Sequence, residues 1–134
     1  MAMRRRPAKH NPFLAANVVG KVTFSIAAEL ADSITVSLQL QDANGRDLAV
    51  RGSVQAYLSD DANGDSVTAT APDTVAGGTD GIVMESISNK LMTLVSEADG
   101  DIDIAIGENA ATTWYLVVIL PDGSLAVSGA IAFA

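Results

Sequence analysis

The segment SITVSLQLQ, residues 33–41, constrains the fold of this chain more than any other stretch. Ile34, Val36, Leu38 and Leu40 occupy every second position, and hydroxyl or amide side chains occupy the positions between them. In a helix these aliphatic residues would point in different directions, whereas in an extended chain they share one face. The pattern therefore predicts a β-strand with one face in a core and the other toward solvent.

Short β-type runs separated by turn residues continue through the chain after Gly20, and helix signals are poor. The sequence predicts about eight strands, at 22–26, 33–41, 48–58, 82–87, 91–95, 101–106, 112–120 and 125–133. A short further candidate is 67–71, a loop is predicted at 72–81, and turns are predicted at 42–45, 60–66, 88–90 and 121–123. Strands at this spacing predict an all-β chain folded as a single antiparallel β-sandwich.

Several side chains have predicted positions. The inward face of the 48–58 strand is predicted to carry Val50, Val54, Ala56 and Leu58. Ile102, Ile104 and Ile106 alternate in DIDIAI and should share one face. Trp114 is expected in the core, and Tyr115 on the opposite face of its strand. The pair Asn44-Gly45 is expected to supply the positive φ angles of a tight hairpin.

Charge is distributed very unevenly along the 134 residues. The chain has a formal net charge of −8, yet its first 21 residues carry five Lys and Arg and no acid, so the remainder carries −13. We expect an extended basic arm at 1–19 and one sandwich domain at 20–134. An acidic body repels nucleic acid, and about five cations are too few for tight binding to it, so a nucleic-acid partner is not expected.

The arm combines positive charge with an apolar segment that follows it. Such a segment suits docking on an acidic protein surface, although a solvated, disordered terminus is an equal alternative. The candidate partner-binding residues are four cations and an apolar hook: Arg4, Arg5, Arg6, Lys9, Phe13 and Leu14.

The residues needed for catalysis are scarce. The chain has no cysteine, and its one histidine, His10, lies in the arm, so disulfides, Cys-ligated metals and Ser-His-Asp triads are not expected. Phosphate-binding glycine motifs are absent from the sequence, and the acids cluster in turns. We therefore expect no enzyme activity and no cofactor. No apolar run is long enough for a transmembrane helix or a secretory signal, so no membrane role is expected.

Two acidic turns have the oxygen-ligand spacing that opens a calcium-binding loop. They are Asp61-x-Asn63-x-Asp65 and Asp99-x-Asp101-x-Asp103. Neither has the glycine and the glutamate that such a loop requires at its sixth and twelfth positions. We therefore expect ordinary acidic turns and no metal site.

Four stretches occur in a characteristic order: ITVSLQLQDANGRDL (34–48), TDGI (79–82), LMTLVSEADGDIDIAI (91–106) and TTWYLVVILPDG (112–123). Together they resemble bacterial or phage immunoglobulin-like domains of the invasin type. Asp47 and Leu48 replace the usual Pro and Val, and tandem copies are lacking. The ending WYLVVILPDGSLAVSGAIAFA and the short format are more similar to small immunoglobulin-like structural proteins of tailed phages. That resemblance implies assembly and binding, and supplies no active-site residue.

The leading functional expectation is a virion structural protein, a capsid decoration or cement protein that binds the major capsid protein. It would be made in the host cytoplasm and reside on the capsid surface, as a homo-oligomer or as lattice-bound copies. The alternative is an adhesion module on a tail, fibre or cell surface, with recognition of carbohydrate or protein in the loops Asn44–Asp47, Asp60–Ser66 or Thr74–Gly81.

Overall fold

A computed structural model describes residues 18–134 and confirms the all-β sandwich. Among these residues there is no helix, and so none that could span a bilayer. The ten strands are β1 Lys21–Ile26, β2 Ser33–Gln41, β3 Ser53–Ser59, β4 Thr74–Gly77, β5 Ile82–Ile87, β6 Leu91–Val95, β7 Asp101–Gly107, β8 Thr112–Ile119, β9 Leu125–Val127 and β10 Ile131–Phe133.

The first sheet has four antiparallel strands in the order β1-β2-β7-β4. The alternation in β2 and β7 determines its inner face, because Ile34, Val36 and Leu38 lie in register with Ile106, Ile104 and Ile102 and all six are buried. Both predictions of alternating strands are therefore confirmed, with the polar positions of β2 only partly buried on the other face.

The second sheet has the order β10-β8-β3-β6-β5, and β9 also pairs with β8. β8 lies between β3 on one side and β9 and β10 on the other. Its inward side chains Trp114, Leu116 and Val118 lie in the core, and the turn at 60–66 covers Val117 on the outer face, which accounts for the nearly continuous apolar sequence. The predicted strands at 82–87 and 91–95 are confirmed, and the turn at 88–90 joins them with Asn89 at a φ of 58°.

The spatial order of both sheets is immunoglobulin-like. β1-β2-β7-β4 matches strands A, B, E and D, and the second sheet matches G, F, C, C′ and C″, with β9 and β10 sharing position G. The chain order differs in the middle of the domain. After β3 the chain forms β4, at position D, and then β5 and β6, at positions C″ and C′, before β7 at position E, whereas an immunoglobulin chain forms C′ and C″ before D.

The core fills the space between the two inner faces with aliphatic side chains and one aromatic pair. Trp114 is buried as predicted and packs edge-on against Phe133, with ring centroids 6.0 Å apart and an interplanar angle of 76°. Tyr115 lies on the opposite face of β8 and is half-buried.

The predicted strand at 48–58 starts too early. Residues 48–52 form no strand, because here the chain crosses from the first sheet to the second. Leu48 enters the core, whereas Val50 is exposed, so its predicted inward position is wrong. In the preceding turn only Gly45 has a positive φ, and Asn44 does not. The Asp42 carboxylate stabilises this turn instead, accepting the N–H groups of Asn44 and Arg46 at 2.9 and 3.0 Å.

The predictions for residues 67–81 are also wrong. Residues 67–71 form no strand, because the buried hydroxyl of Thr68 bonds to the Asp60 carboxylate and to the backbone at Thr70 in place of a ladder. The predicted loop contains a real strand, β4, which pairs with β7.

The final predicted strand, 125–133, is divided into β9 and β10. At the break, Ser128 Oγ accepts the N–H of Leu116 at 2.9 Å, and the Ser128 N–H donates to the Leu116 carbonyl at the same distance. The Ser128 hydroxyl thus takes the place of one backbone carbonyl in the ladder, and β9 and β10 both pair with the same edge of β8.

At the start of the described chain, Val19 is buried in the core and the Gly20 N–H donates to the Gln41 carbonyl at 2.9 Å. Arm residues Arg4, Arg5, Arg6, Lys9, Phe13 and Leu14 lie outside the described residues, so their roles and the boundary between arm and domain stay predictions.

Candidate functional site

The outer face of the second sheet contains an uncharged, largely apolar surface. Its positions follow from strand alternation, since the neighbours of these residues point into the core. We call this surface the apolar face; it consists of Gln55, Ile82, Met84, Thr93, Val95, Ile119 and Leu125. None of the seven is charged, although residues 18–134 carry 16 carboxylates against four Lys and Arg, a formal net charge of −12.

The register places one row of the apolar face across five strands. Met84 lies opposite Thr93, Thr93 opposite Gln55, Gln55 opposite Ile119, and Ile119 opposite Leu125. At about 4.8 Å per strand, the row is about 19 Å wide. Its two central polar side chains bond to each other, with Gln55 Nε2 donating to Thr93 Oγ1 at 2.9 Å. The centre of the row therefore keeps this hydrogen bond when a partner displaces water.

The large side chains at the margins of the apolar face are unusually exposed. Ile82 and Met84 are 49% and 50% exposed, and Leu125 is 45% exposed. Ile82 and Met84 lie on β5, an edge strand that pairs, within the described chain, with β6 alone. The exposed apolar side chains thus form two groups on either side of the Gln55–Thr93 pair, and this grouping makes the face the candidate contact surface of the molecule.

The turn at 60–66 bounds the apolar face by covering the adjacent row. The Tyr57 hydroxyl donates to the Gly64 carbonyl at 2.5 Å, and Gly64 lies so close to Val117 that a β-carbon there would come within 2.9 Å of Cγ2. Burial, followed by the charges of Asp65 and Asp61, raises the pKa of Tyr57. The turn thus shields Tyr57 and Val117 from solvent, and the row of residues from Met84 to Leu125 stays uncovered.

In the acidic turn at 61–65, the carboxylate of Asp61 forms hydrogen bonds within the turn. Asp61 Oδ1 accepts the backbone N–H groups of Asn63 and Gly64, both at 2.9 Å. In the part of the chain that the structure describes, no three acidic or histidine side chains converge on a possible metal position.

The outer face of the first sheet is chemically different. Its strands present Ser, Thr, Gln and Asp, and Ser37 Oγ donates to Asp103 Oδ1 at 2.6 Å. An open depression of about 210 Å³ lies on this sheet. The polar side chains that line it are Thr23, Ser25, Ser37, Gln39 and Asp101. We call this depression the polar trough.

Carboxylates crowd one end of the polar trough. Burial, followed by the charges of Asp99, Asp80 and Asp103, raises the pKa of Asp101. Burial and then the charge of Asp103 raise the pKa of Asp80 as well. The single ion pair found among residues 18–134 joins Arg51 and Glu97 at 3.4 Å, and both side chains are exposed. This end of the molecule therefore has a strongly negative surface.

Recognition by an adhesion module was expected in one or another of three loops, and the structure places the ends of two of them, at Asp47 and Asp80, beside Asp101. The segment Asn44–Asp47 follows β2 at the negative end, whereas Asp60–Ser66 follows β3 and lies over the outer face of the other sheet. Most of Thr74–Gly81 is strand β4 and the chain beside it. The apolar face was not predicted from the sequence, although apolar residues at the non-core positions of β5, β8 and β9 were its signal.

Comparisons with protein-family models, with curated proteins and with solved structures found no match to this chain.

Proposed function

We propose that this protein is a structural component of a phage virion, a capsid decoration or cement protein that binds the major capsid protein. The observation that supports the proposal best is the apolar face, an uncharged contact surface on a body of net charge −12. Partner surfaces that meet it bury Ile82, Met84 and Leu125, and no charge on the face has to be desolvated.

The negative remainder of the molecule favours one orientation on a shell. Like charge on neighbouring copies opposes contact through other surfaces, whereas the apolar face allows close approach. The predicted arm, with Arg4, Arg5, Arg6 and Lys9 for charge and Phe13 and Leu14 for apolar contact, adds a tether to an acidic surface. On a lattice of fixed sites, several weak contacts produce strong retention.

Rebinding to purified shells that lack the protein tests the proposal. Met84→Glu puts a charge into the apolar face on edge strand β5, and Ala76→Glu puts the same charge at an exposed position of edge strand β4 in the other sheet. We expect the first variant to lose affinity about tenfold or more, and the control to bind like wild type. If wild type fails to bind shells, or both variants bind equally well, the proposal is wrong.

The arm is tested in the same assay by deleting residues 2–14. Weaker binding that depends on salt supports the tether, because Lys and Arg contacts are screened by ions. Unchanged binding would remove the arm from the proposal and leave the apolar face as the contact.

The polar trough favours a second candidate, an adhesion module that binds carbohydrate. Its hydroxyl, amide and carboxylate groups can hydrogen-bond adjacent sugar hydroxyls. A glycan-array signal that is lost in Thr23→Val and in Asp101→Leu, but kept in Met84→Glu, would support this function over capsid binding. Absence of any glycan signal would reject it.

A further inference from the structure

The motif Asp-Ala-Asn-Gly occurs twice in the chain, at 42–45 and at 61–64. In both copies the glycine N–H donates to the carbonyl of the leading aspartate, at 3.0 Å in the first and 3.2 Å in the second. Both glycines have a positive φ, 81° and 73°, and both asparagines, Asn44 and Asn63, are exposed. The two asparagines therefore lie in the same motif and in similar turns, and they differ in their surroundings.

An asparagine that is followed by glycine can lose its side-chain amide without an enzyme. The backbone nitrogen of the glycine gives up its proton to solvent base and attacks Cγ of the asparagine. The new N–Cγ bond closes a succinimide ring, the Cγ–Nδ2 bond breaks, and the amide group takes up a proton and leaves as ammonia. Water then opens either ring carbonyl, which gives aspartate or isoaspartate. Glycine favours the reaction because it has no β-carbon to restrict the backbone rotation that the attack requires.

The second copy of the motif is held against this reaction. The Gly64 N–H donates to the Asp61 carboxylate at 2.9 Å as well as to the Asp61 carbonyl. Removal of this proton would leave a negative nitrogen beside a carboxylate, which Coulomb repulsion opposes. Gly64 is also buried: its carbonyl accepts the Tyr57 hydroxyl, and a β-carbon there would lie 2.9 Å from Val117 and 3.2 Å from Val127. The backbone of this turn therefore rotates only when the turn opens away from the sheet.

The first copy lacks these restraints. Here the Asp42 carboxylate accepts the N–H groups of Asn44 and Arg46, whereas the Gly45 N–H donates to a backbone carbonyl. In the described part of the chain, one atom outside the adjoining residues comes within 4 Å of a β-carbon placed on Gly45, and it is Lys21 Nζ, at 4.0 Å. An ammonium group at this position stabilises a negative charge that develops on the attacking nitrogen.

We infer that Asn44 is a site of spontaneous deamidation, and that the fold protects the identical motif at Asn63. The product at position 44 adds a carboxylate to the negative end of the molecule. In its isoaspartate form it also adds one backbone carbon to the connection between β2 and β3. The inference is independent of the proposed function, because the reaction uses only groups of this chain and water.

Mass spectrometry of the aged full-length protein tests the inference. Cleavage after Lys and Arg separates the two motifs, because Asn44 then lies in the peptide 22–46 and Asn63 in the peptide 52–90. After incubation of the folded protein at mildly alkaline pH, we expect amide loss at Asn44 to be at least about tenfold faster than at Asn63. In protein unfolded in guanidinium chloride, the two rates should lie within about threefold of each other, because the protection by the fold is then absent.

Two variants test the physical causes. Tyr57→Phe removes the hydroxyl that bonds to Gly64, so amide loss at Asn63 should become several-fold faster while the rate at Asn44 stays the same. Lys21→Met removes the ammonium group beside the first turn, so amide loss at Asn44 should become about threefold slower while the rate at Asn63 stays the same.

Three results would overturn the inference. The first is equal rates at Asn44 and Asn63 in the folded protein, and the second is a faster rate at Asn63. The third is amide loss at neither asparagine in the folded protein when both lose it in the unfolded chain, because the fold would then protect both copies of the motif.

Discussion

The indole Nε1 of Trp114 donates a hydrogen bond to the Oγ1 of Thr68 at 3.1 Å. This bond connects the centre of the core to a segment without regular secondary structure, and the same Nε1 also donates to the Thr70 carbonyl at 3.1 Å. The segment 67–71 is thus held against β8 by an aromatic side chain and not by a strand ladder.

Thr68→Val should destabilise the protein through this connection. The substitution keeps the volume but removes the hydroxyl that bonds to Trp114, Asp60 and Thr70. We expect the free energy of unfolding to fall by about 1–3 kcal/mol in urea titration, as for buried groups that lose a partner. Thr70→Val, at an exposed position, is the control and should change it by less than about 0.5 kcal/mol. Equal effects would contradict the role of Thr68.

Gly64→Ala should destabilise the cover over Tyr57 and Val117. Gly64 has a φ of 73°, and a β-carbon would lie 2.9 Å from Val117 Cγ2. Gly123→Ala is the matched control, because its φ is 87° but no atom lies within 4 Å of the added carbon. Both variants should lose about 1 kcal/mol from the backbone. Only Gly64→Ala should lose about 1–3 kcal/mol more from overpacking, and similar denaturation midpoints would show that the turn is loosely packed.

The hairpin turn at Ala31 and Asp32 should tolerate, and benefit from, residues suited to positive φ. Ala31 and Asp32 have φ angles of 51° and 61°. Replacing the pair by Asn-Gly is expected to raise the free energy of unfolding by about 1 kcal/mol, mainly because Ala31 is poorly suited to positive φ whereas Asp already tolerates it. Ala31→Val should lower it, since β-branched residues adopt positive φ poorly. Chemical denaturation of both variants checks the opposite signs, and a fall in both would show that the turn geometry differs in solution.

Asp101→Asn should stabilise the protein at neutral pH. The folded-state pKa of Asp101 is raised, so the folded protein binds a proton more strongly than the unfolded chain. Stability therefore falls as pH rises from the ordinary aspartate pKa, about 3.9, through the raised value, and the ionised group is unfavourable above it. The gain in Tm at pH 7 should vanish below about pH 4 and shrink in 1 M salt, where the Debye length is about 3 Å.

Asp122→Asn is the control of opposite sign. Hydrogen bonds from the side chain and then the backbone of Ser124 lower the pKa of Asp122. Its contribution to stability is present above the ordinary pKa and is lost as pH falls toward the lowered one. The variant should therefore have a lower Tm than wild type at pH 7. A lower Tm for Asp101→Asn at that pH would contradict the repulsion at the negative end.

The local sequence pattern was sufficient to predict a strand where one face of that strand is buried and the other is solvated. The alternation in β2 and β7 predicted their length and inward residues, and the turn at 88–90 was found from its residue types. The connections were less predictable, because partners far away in the sequence determine them. The Thr68 side chain bonds to Trp114, and the segment around it forms no strand. Residues of β4 form a strand because they pair with the free edge of β7.

The candidate surfaces show the same division. The sequence drew attention to the acidic turns and to the arm, which stand out in composition. The apolar face could not be predicted because its residues come from five strands, each of which contributes only one or two, and registers such as Met84 opposite Thr93 become known only with the sheet.

The unusual chain order, in which β4 precedes β5 and β6, has a consequence for folding kinetics. In each sheet, one central pair joins strands that are far apart in the sequence. β2 pairs with β7 and β3 pairs with β8, so these ladders form only after the later strand has been synthesised. Ser37 and Asp103, which bond across the first pair, are 66 positions apart. Such long-range closure gives a high contact order and folding on a scale of about milliseconds to seconds. Because Leu125, in β9, completes the apolar face, the nascent chain acquires the whole of this surface only after β1 to β8 have been synthesised.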